Sequence, residues 1–285
     1  MYTSLGLGPL GIRATFEEGL ALAKAAGFEG LDLDIQEATK IAKRHGAGYM
    51  LDLFAQYGVR PGYWDPPIEF RADEATWKAG LKKLPRWAKT AQALGCLRTA
   101  TWIVPFSEER TYAENMAFHV ARLRPIADIL GEHGVKLGLE YVGPASLRRG
   151  HAHEFIHDLA GWRELCAEIG APNLGLLLDA YHWYTSGGPA EELLTLRNED
   201  IVLVHMNDGI AGVERDEQLD LVRCLPGESG VIDLDTFLRA LQRIGYDGPM
   251  TVEPFSDRIR ALPPLEAARE TFQALQAALV KAGVR

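Results

Sequence analysis

Cysteine is scarce in this chain. Cys96, Cys166 and Cys224 are its only three in 285 residues, an odd number with no CxxC or CxH spacing. A disulfide-rich scaffold is excluded, and free thiols in a reducing, cytoplasmic compartment are the expectation. No run of about 18 apolar residues occurs, so no segment is expected to span a membrane. The opening residues Met1-Tyr2-Thr3-Ser4-Leu5-Gly6 lack the basic and long apolar regions of a secretion signal. Positive charge is in deficit: 30 Lys plus Arg against 39 Asp plus Glu leaves a net charge of −9. A phosphate backbone is repelled on average by such a chain. The best local basic stretch, Arg148-Arg149-Gly150-His151-Ala152-His153, is short. No nucleic-acid partner is expected.

Linkers, low-complexity tracts and 20–50-residue repeats are also missing, and one domain over residues 1–285 is the simplest organisation. Apolar residues make up 47% and charged residues 24%, an ordinary globular balance. Short apolar runs alternate with longer helical stretches. The runs are Thr3–Leu7, Leu31–Ile35, Val59–Tyr63, Leu97–Val104, Val135–Val142, Leu174–Leu178, Ile201–Met206 and Pro249–Val252. Helices are expected over Thr15–Ala26, Glu37–Tyr57, Ala72–Leu94, Glu108–His133, His153–Ile169, Pro189–Leu196, Thr236–Ile244 and Leu265–Ala282. Thr15 with Glu18 has the spacing of a capping box. Eight strand–helix units in this length fit an α/β fold of the (β/α)8 TIM barrel type, which needs about 250 residues. A doubly wound sheet is the runner-up. Gly6-Leu7-Gly8-Pro9-Leu10-Gly11 carries the letters of the dinucleotide signature, with Asp32 or Asp34 as the acidic residue. Pro9, however, removes a backbone N–H where a pyrophosphate needs donors.

Four apolar runs stop at a polar residue: Glu140, Asp179, His205 and Glu253. In a barrel these successive C-terminal strand ends surround one mouth. Three carboxylates packed together repel unless a cation or proton lies between them. One divalent metal ion is the simplest solution, and three oxygens with one imidazole suit Mn²⁺, Mg²⁺ or Co²⁺ and tolerate Zn²⁺. Singly, each acid would read as a helix cap and the histidine as structural. Trp64, Trp102 and Trp183 lie at or just past strand ends, where an aromatic ring walls a sugar pocket or packs the rim. His151 and His153 follow Glu140 in a loop and are candidates for the mouth. Asp208 is placed to orient His205 or a loop amide. Cys224 lacks the pattern of a nucleophile.

These residues resemble a family. Glu140, Asp179-Ala180-Tyr181-His182, His205-Met206-Asn207-Asp208, Leu225-Pro226-Gly227 with Gly230-Val231-Ile232-Asp233, and Val252-Glu253 are similar to the xylose isomerase-like barrel superfamily of sugar-phosphate isomerases and epimerases. In motif order they are most similar to its inosose (2-keto-myo-inositol) isomerases. The resemblance implies metal binding by Glu140, Asp179, His205 and Glu253, with Glu140 and Glu253 as paired acid and base. It implies that His182 and Arg223 contact substrate oxygens. It also implies a small sugar or polyol-derived substrate and a homo-oligomer. Two departures stand out. Ketose 3-epimerases of the family carry an arginine six residues after the histidine ligand, where this chain has Ala211, leaving Arg215 or Arg223 to take over. The loop Pro226–Gly230 also has one residue more than the usual P-G-x-G.

The implied chemistry is proton removal beside a metal-polarised carbonyl, followed by its return to the other carbon (isomerisation) or the other face (epimerisation). Loss of a β-hydroxyl instead makes an inosose- or dehydroshikimate-type dehydratase. An apurinic-site endonuclease, whose members carry extra histidines at earlier strand ends, and a non-catalytic sugar-binding barrel are the remaining readings.

Overall fold

The eight apolar runs all form strands in a computed structural model that describes residues 1–285. They are β1 (Tyr2–Leu5), β2 (Gly30–Leu33), β3 (Arg60–Trp64), β4 (Arg98–Ile103), β5 (Lys136–Tyr141), β6 (Leu174–Asp179), β7 (Ile201–Met206) and β8 (Pro249–Val252). Each pairs in parallel with the next, and β8 pairs with β1, which closes the barrel. Parallel strands buried on both faces need continuous apolar runs, which is why the central strands read Leu-Gly-Leu and Ile-Val-Leu-Val. The main core lies between barrel and helices. A smaller cluster of Tyr63, Ala100, Leu177 and Leu203 fills the barrel interior.

Several expected helices differ at their ends. The first, α1 (Phe16–Ala26), starts where expected, with Thr15 and Glu18 forming a capping box. The expected helix over Glu37–Tyr57 is two, α2 (Ile35–His45) and α3 (Ala47–Tyr57). Gly46 divides them at φ +86°, ψ 155°, which no helix contains. The stretch over Ala72–Leu94 likewise splits into α4 (Glu74–Leu81) and α5 (Leu84–Leu94), where Pro85 takes an early position of the second helix. The next two are shorter than expected, α6 (Tyr112–Gly131) and α7 (Leu159–Ile169). His153 lies in a two-residue strand paired with Phe106–Ser107 instead. A helix not expected from the sequence, α8 (Ala180–Ser186), leaves β6 directly. The chain closes through α9 (Leu234–Arg243) and α10 (Pro264–Lys281).

The Gly6–Gly11 segment is a turn: Gly11 N–H donates to the Gly8 carbonyl and Ile12 N–H to that of Leu7. The following helix starts only at Phe16, so no helix N-terminus meets this turn. Asp34 caps α2, and Asp32 accepts from Ser4 Oγ (2.6 Å) and Thr251 Oγ1 (2.8 Å) inside the barrel. A Cβ on Gly62 would lie 2.1 Å from Asp32 Oδ1, so this polar knot requires glycine on β3.

His119 of α6 is buried against Phe155 and Phe70, with ring centroids at 4.8 and 5.5 Å. Its Nδ1 bonds the Asn115 carbonyl, and its Nε2 has no partner. Burial outweighs that bond and lowers the imidazole to about 4 from its ordinary 6.5. Below pH 6.5 the unfolded chain therefore takes up the proton first. Stability is full above that pH and falls as pH drops toward 4, by roughly 3 kcal/mol in the limit. His119→Gln is expected to flatten this part of the acid limb in urea denaturation between pH 7 and 4.5. An unchanged slope would contradict the assignment.

Candidate active site at the barrel mouth

Strand register brings the polar strand ends together. Asp179 pairs with His205 across β6 and β7. Glu253 N–H donates to the Met206 carbonyl just beyond the pairing of β8 with β7. Glu140 pairs with Trp102 across β5 and β4. His205 Nδ1 lies 3.7 Å from Glu140 Oε1, 3.8 Å from Asp179 Oδ2 and 3.5 Å from Glu253 Oε2. Donor atoms of Glu140, Asp179 and His205 all lie within 4.8 Å of one another. Glu253 approaches His205 from β8 and also meets Arg223 Nη1 at 3.2 Å.

Glu140 Oε1 and both ring nitrogens of His205 are buried without a hydrogen-bond partner. Each such orphan costs about 1–3 kcal/mol. The spacing fits one cation: bonds of about 2.1 Å place the ligands of a tetrahedral ion about 3.4 Å apart. The donor set thus accommodates a divalent metal, with Glu140, Asp179 and His205 as the inner group and Glu253 beside it.

The electrostatics express the crowding. Burial, then the charges of Asp179 and Glu253, push Glu140 well above the usual carboxylate range, against the pull of His205. Burial also acts to raise Asp179, but Arg223, His182 and His205 outweigh it and hold it at about 2. Burial opposes a charge on His205, yet Glu253, Glu140 and Asp179 together raise it to about 10. Arg223 is the permanent counter-charge. It is buried, with Nη1 2.9 Å from Asp179 and Nη2 2.9 Å from Asp220, and its guanidinium lies over Tyr181 (4.6 Å) and Phe255 (4.8 Å). Phe255 has φ +38°, making it the only non-glycine residue in the left-handed region. A strained backbone of this kind costs about 1–3 kcal/mol and persists where its surroundings hold it.

His182, on the first turn of α8, is buried. Its Nδ1 accepts from Gly143 N–H, and its Nε2 lies 3.8 Å from Glu140. Asp179 divides its labour, since Oδ1 accepts the Tyr181 and His182 amides that start α8 while Oδ2 faces Arg223 and His205. The strand-end acid is therefore helix cap and site residue together.

The tryptophans part company. Trp102, 44% exposed, lines the cavity that holds Glu140 and His205, with Arg71 stacked on it at 4.3 Å. Trp64 is 1% exposed, donates Nε1–H to the Cys96 carbonyl and edges only the neighbouring cavity. Its predecessor Tyr63 faces inward instead, edge-on to His205 at 6.0 Å. Trp183 packs on Phe237 in the core. His151 stacks on Phe106 and pairs with Glu108 at the rim, and His153 sits opposite Ser107. Neither histidine joins the cluster. Arg215 pairs with Asp216 at the surface, which leaves Arg223 as the arginine in the site.

Two polar residues escaped the sequence reading. Asn207 is fully buried and donates Nδ2–H to Asp179 (3.1 Å). Asp220 holds both the Nε (through its carbonyl) and Nη2 of Arg223. Asn207 follows Met206 directly, and that adjacency to His205 was the available signal. Asp208 binds loop amides, not His205. It accepts from the backbone N–H groups of Gly209, Ser229, Gly230 and Ile232, and it exchanges backbone bonds with Cys224.

The family model of the xylose isomerase-like TIM barrel matches residues 20–278. An inosose isomerase of Halalkalibacterium halodurans is 28% identical over 85% of this chain and 84% of that protein. A ketose 3-epimerase of Arthrobacter globiformis is 26% identical over 88% and 78%. A 3-dehydroshikimate dehydratase of Pseudomonas putida is 27% identical over 93% of this chain but 40% of the longer relative. A solved xylose isomerase domain protein from Alicyclobacillus acidocaldarius superposes with a TM-score of 0.86 at 29% identity, covering 99% of both chains.

Asp208 thus fastens the loop that delivers Arg223. Asp208→Ala is expected to destabilise the protein by about 3 kcal/mol, the scale of losing charge-assisted hydrogen bonds. It should also open residues 209–224 to limited proteolysis while the barrel core stays resistant. A loop as resistant as in the unaltered protein would refute this role.

Proposed function

This chain belongs to the xylose isomerase-like TIM barrel family, and from that membership we propose that it is a divalent-metal-dependent isomerase or epimerase. It moves a proton beside the carbonyl of a ketose or keto-inositol. The observation that carries this reading is the set of unpartnered donor atoms of Glu140 and His205 facing Asp179 and Glu253. A bound Mn²⁺, Mg²⁺, Co²⁺ or Zn²⁺ supplies Lewis acidity, polarising the carbonyl and acidifying the adjacent C–H.

The rest falls to the protein. Glu140 and Glu253 approach His205 from different strands, β5 and β8, so substrate held at the mouth meets a carboxylate from each. One takes the proton and the other returns it, which preserves the stereochemical choice of carbon or face. His182 and Arg223, hydrogen-bonded to each other, hold the carboxylates from the α8 side rather than facing the cavity. Asn207 and Arg223 keep Asp179 ionised and oriented. Trp102 covers the outer part of the cavity. Loss of a β-hydroxyl after the same proton removal is the second reading, motivated by the dehydratase relatives.

Proton NMR in D₂O tests the proposal. Protein supplied with each metal is given a panel of ketoses and keto-inositols, with metal-stripped protein as the control. Deuterium is expected next to the carbonyl, and the product separates isomerisation from epimerisation. New olefinic signals establish the dehydratase, and no exchange with any compound contradicts proton transfer. Glu140→Gln and Glu253→Gln are each expected to lower kcat by about 10²–10⁴-fold with the fold intact by circular dichroism. A fully active Glu253→Gln enzyme would sink the mechanism. His205→Ala is expected to weaken metal binding in calorimetry by more than the roughly 10–100-fold that losing a supporting hydrogen-bond partner costs.

A further inference from the structure

Asp65 follows β3 directly and lines two adjoining cavities. One, of about 640 Å³, holds Glu140, His205 and Glu253. The other, of about 560 Å³, lies over β1 to β3. Asp65 is exposed at the mouth and its carboxylate makes no hydrogen bond to protein; the charges that reach it are those of His205, Asp32 and Glu253. Other aspartates of this region are engaged: Asp34 and Asp73 cap helices, and Asp32 binds Ser4 and Thr251.

The sequence explains why Asp65 is free. An aspartate in a turn usually bonds the backbone amides that follow it. Here Pro66 and Pro67 follow, and proline has no N–H to offer. The same two prolines restrict the backbone, so the carboxylate is held out without the entropy cost of ordering a flexible loop. Arg71 meets Glu69 at 2.8 Å, and Arg260 donates Nε–H to the Pro9 carbonyl at 3.3 Å. The exposed ring of Trp102, on the neighbouring strand, lines the same cavity.

We propose that Asp65 is a substrate-binding residue whose carboxylate accepts hydroxyl hydrogen bonds from the part of a polyol remote from the reacting carbons. It thereby selects a neutral polyhydroxylated substrate over one carrying a carboxylate or phosphate. The proposal rests on the sugar or keto-inositol reading of this site. A carboxylate accepts two hydroxyls at once, which a vicinal diol supplies. A second anion placed directly beside it is repelled.

Binding by calorimetry, with the protein under the same metal loading throughout, tests this without turnover. The probes are myo-inositol and D-fructose as neutral polyols, with shikimate and myo-inositol 1-phosphate as anions. The protein is expected to prefer the neutral probes. Asp65→Ala should weaken them about 10–100-fold, the scale of a hydrogen bond to a charged group. Asp65→Asn, which keeps the size and one acceptor, should fall between. Melting temperatures should stay unchanged, because no protein hydrogen bond is lost. Unaltered polyol affinity in both variants, a preference for the anions, or no binding of either neutral probe overturns the proposal. Absent deuterium exchange alongside a loss of polyol binding in Asp65→Ala would refute the isomerase reading and leave the role of Asp65 standing.

Discussion

Like charges crowded at the mouth of the barrel are the constraint on which this molecule is organised. Glu140, Asp179 and Glu253 converge on one imidazole, and Arg223 is the single permanent cation among them. A buried ion pair of this kind contributes little net stability, but losing one partner costs about 3–5 kcal/mol because the other charge is stranded. Much of the surrounding structure serves to keep Arg223 in place. The backbone exchange between Asp208 and Cys224 anchors its loop, Asp220 grips its far side, and Tyr181 and Phe255 sandwich its plane. Phe255, whose ring lies against that guanidinium, is also the residue with the strained backbone.

The sequence disclosed the barrel and the inner site because both follow from periodicity. Each strand is an apolar run, and a polar residue ending the run marks its C-terminal tip. In a closed parallel barrel those tips must meet, so Glu140, Asp179, His205 and Glu253 came together from spacing alone. What escaped depends on interactions that one-dimensional pattern does not carry. Gly46 and Pro85 sit inside amphipathic stretches whose apolar spacing continues across them, so the breaks after His45 and Leu81 did not register. Helix α8 has only 7 residues, too few for a helical period to show. Trp64 and Tyr63 are neighbours on a strand, and which of them faces inward is a matter of register; the larger ring went to the outer layer. Asn207 acts through Asp179, 28 residues earlier in the chain, and Asp220 through Arg223, three residues on in a loop that has no periodicity to read.

The fold also separates tasks around the ring. The clustered donors Glu140, Asp179, His205 and Glu253 sit at the ends of β5 to β8. The outer cavity is walled from the other side by Asp65 and Arg71, which follow β3, and by Trp102 near the end of β4. On the proposed function, the proton-transferring carboxylates belong to one half of the mouth and the surface facing the rest of the substrate to the other. Relatives with different substrates on a shared barrel are the outcome this division permits.

Asp179 narrows the paths by which such a protein can diverge. One oxygen begins α8 and the other faces the cluster, so its two duties cannot be altered independently. Glutamate would carry the charge past the amides, and asparagine would cap the helix but forfeit the charge. Evolutionary drift is consequently channelled away from the sixth strand end and toward positions such as that before Pro66, where a side chain can change without unravelling a helix. In this barrel, the residues freest to explore new substrates are those with no structural bond to lose.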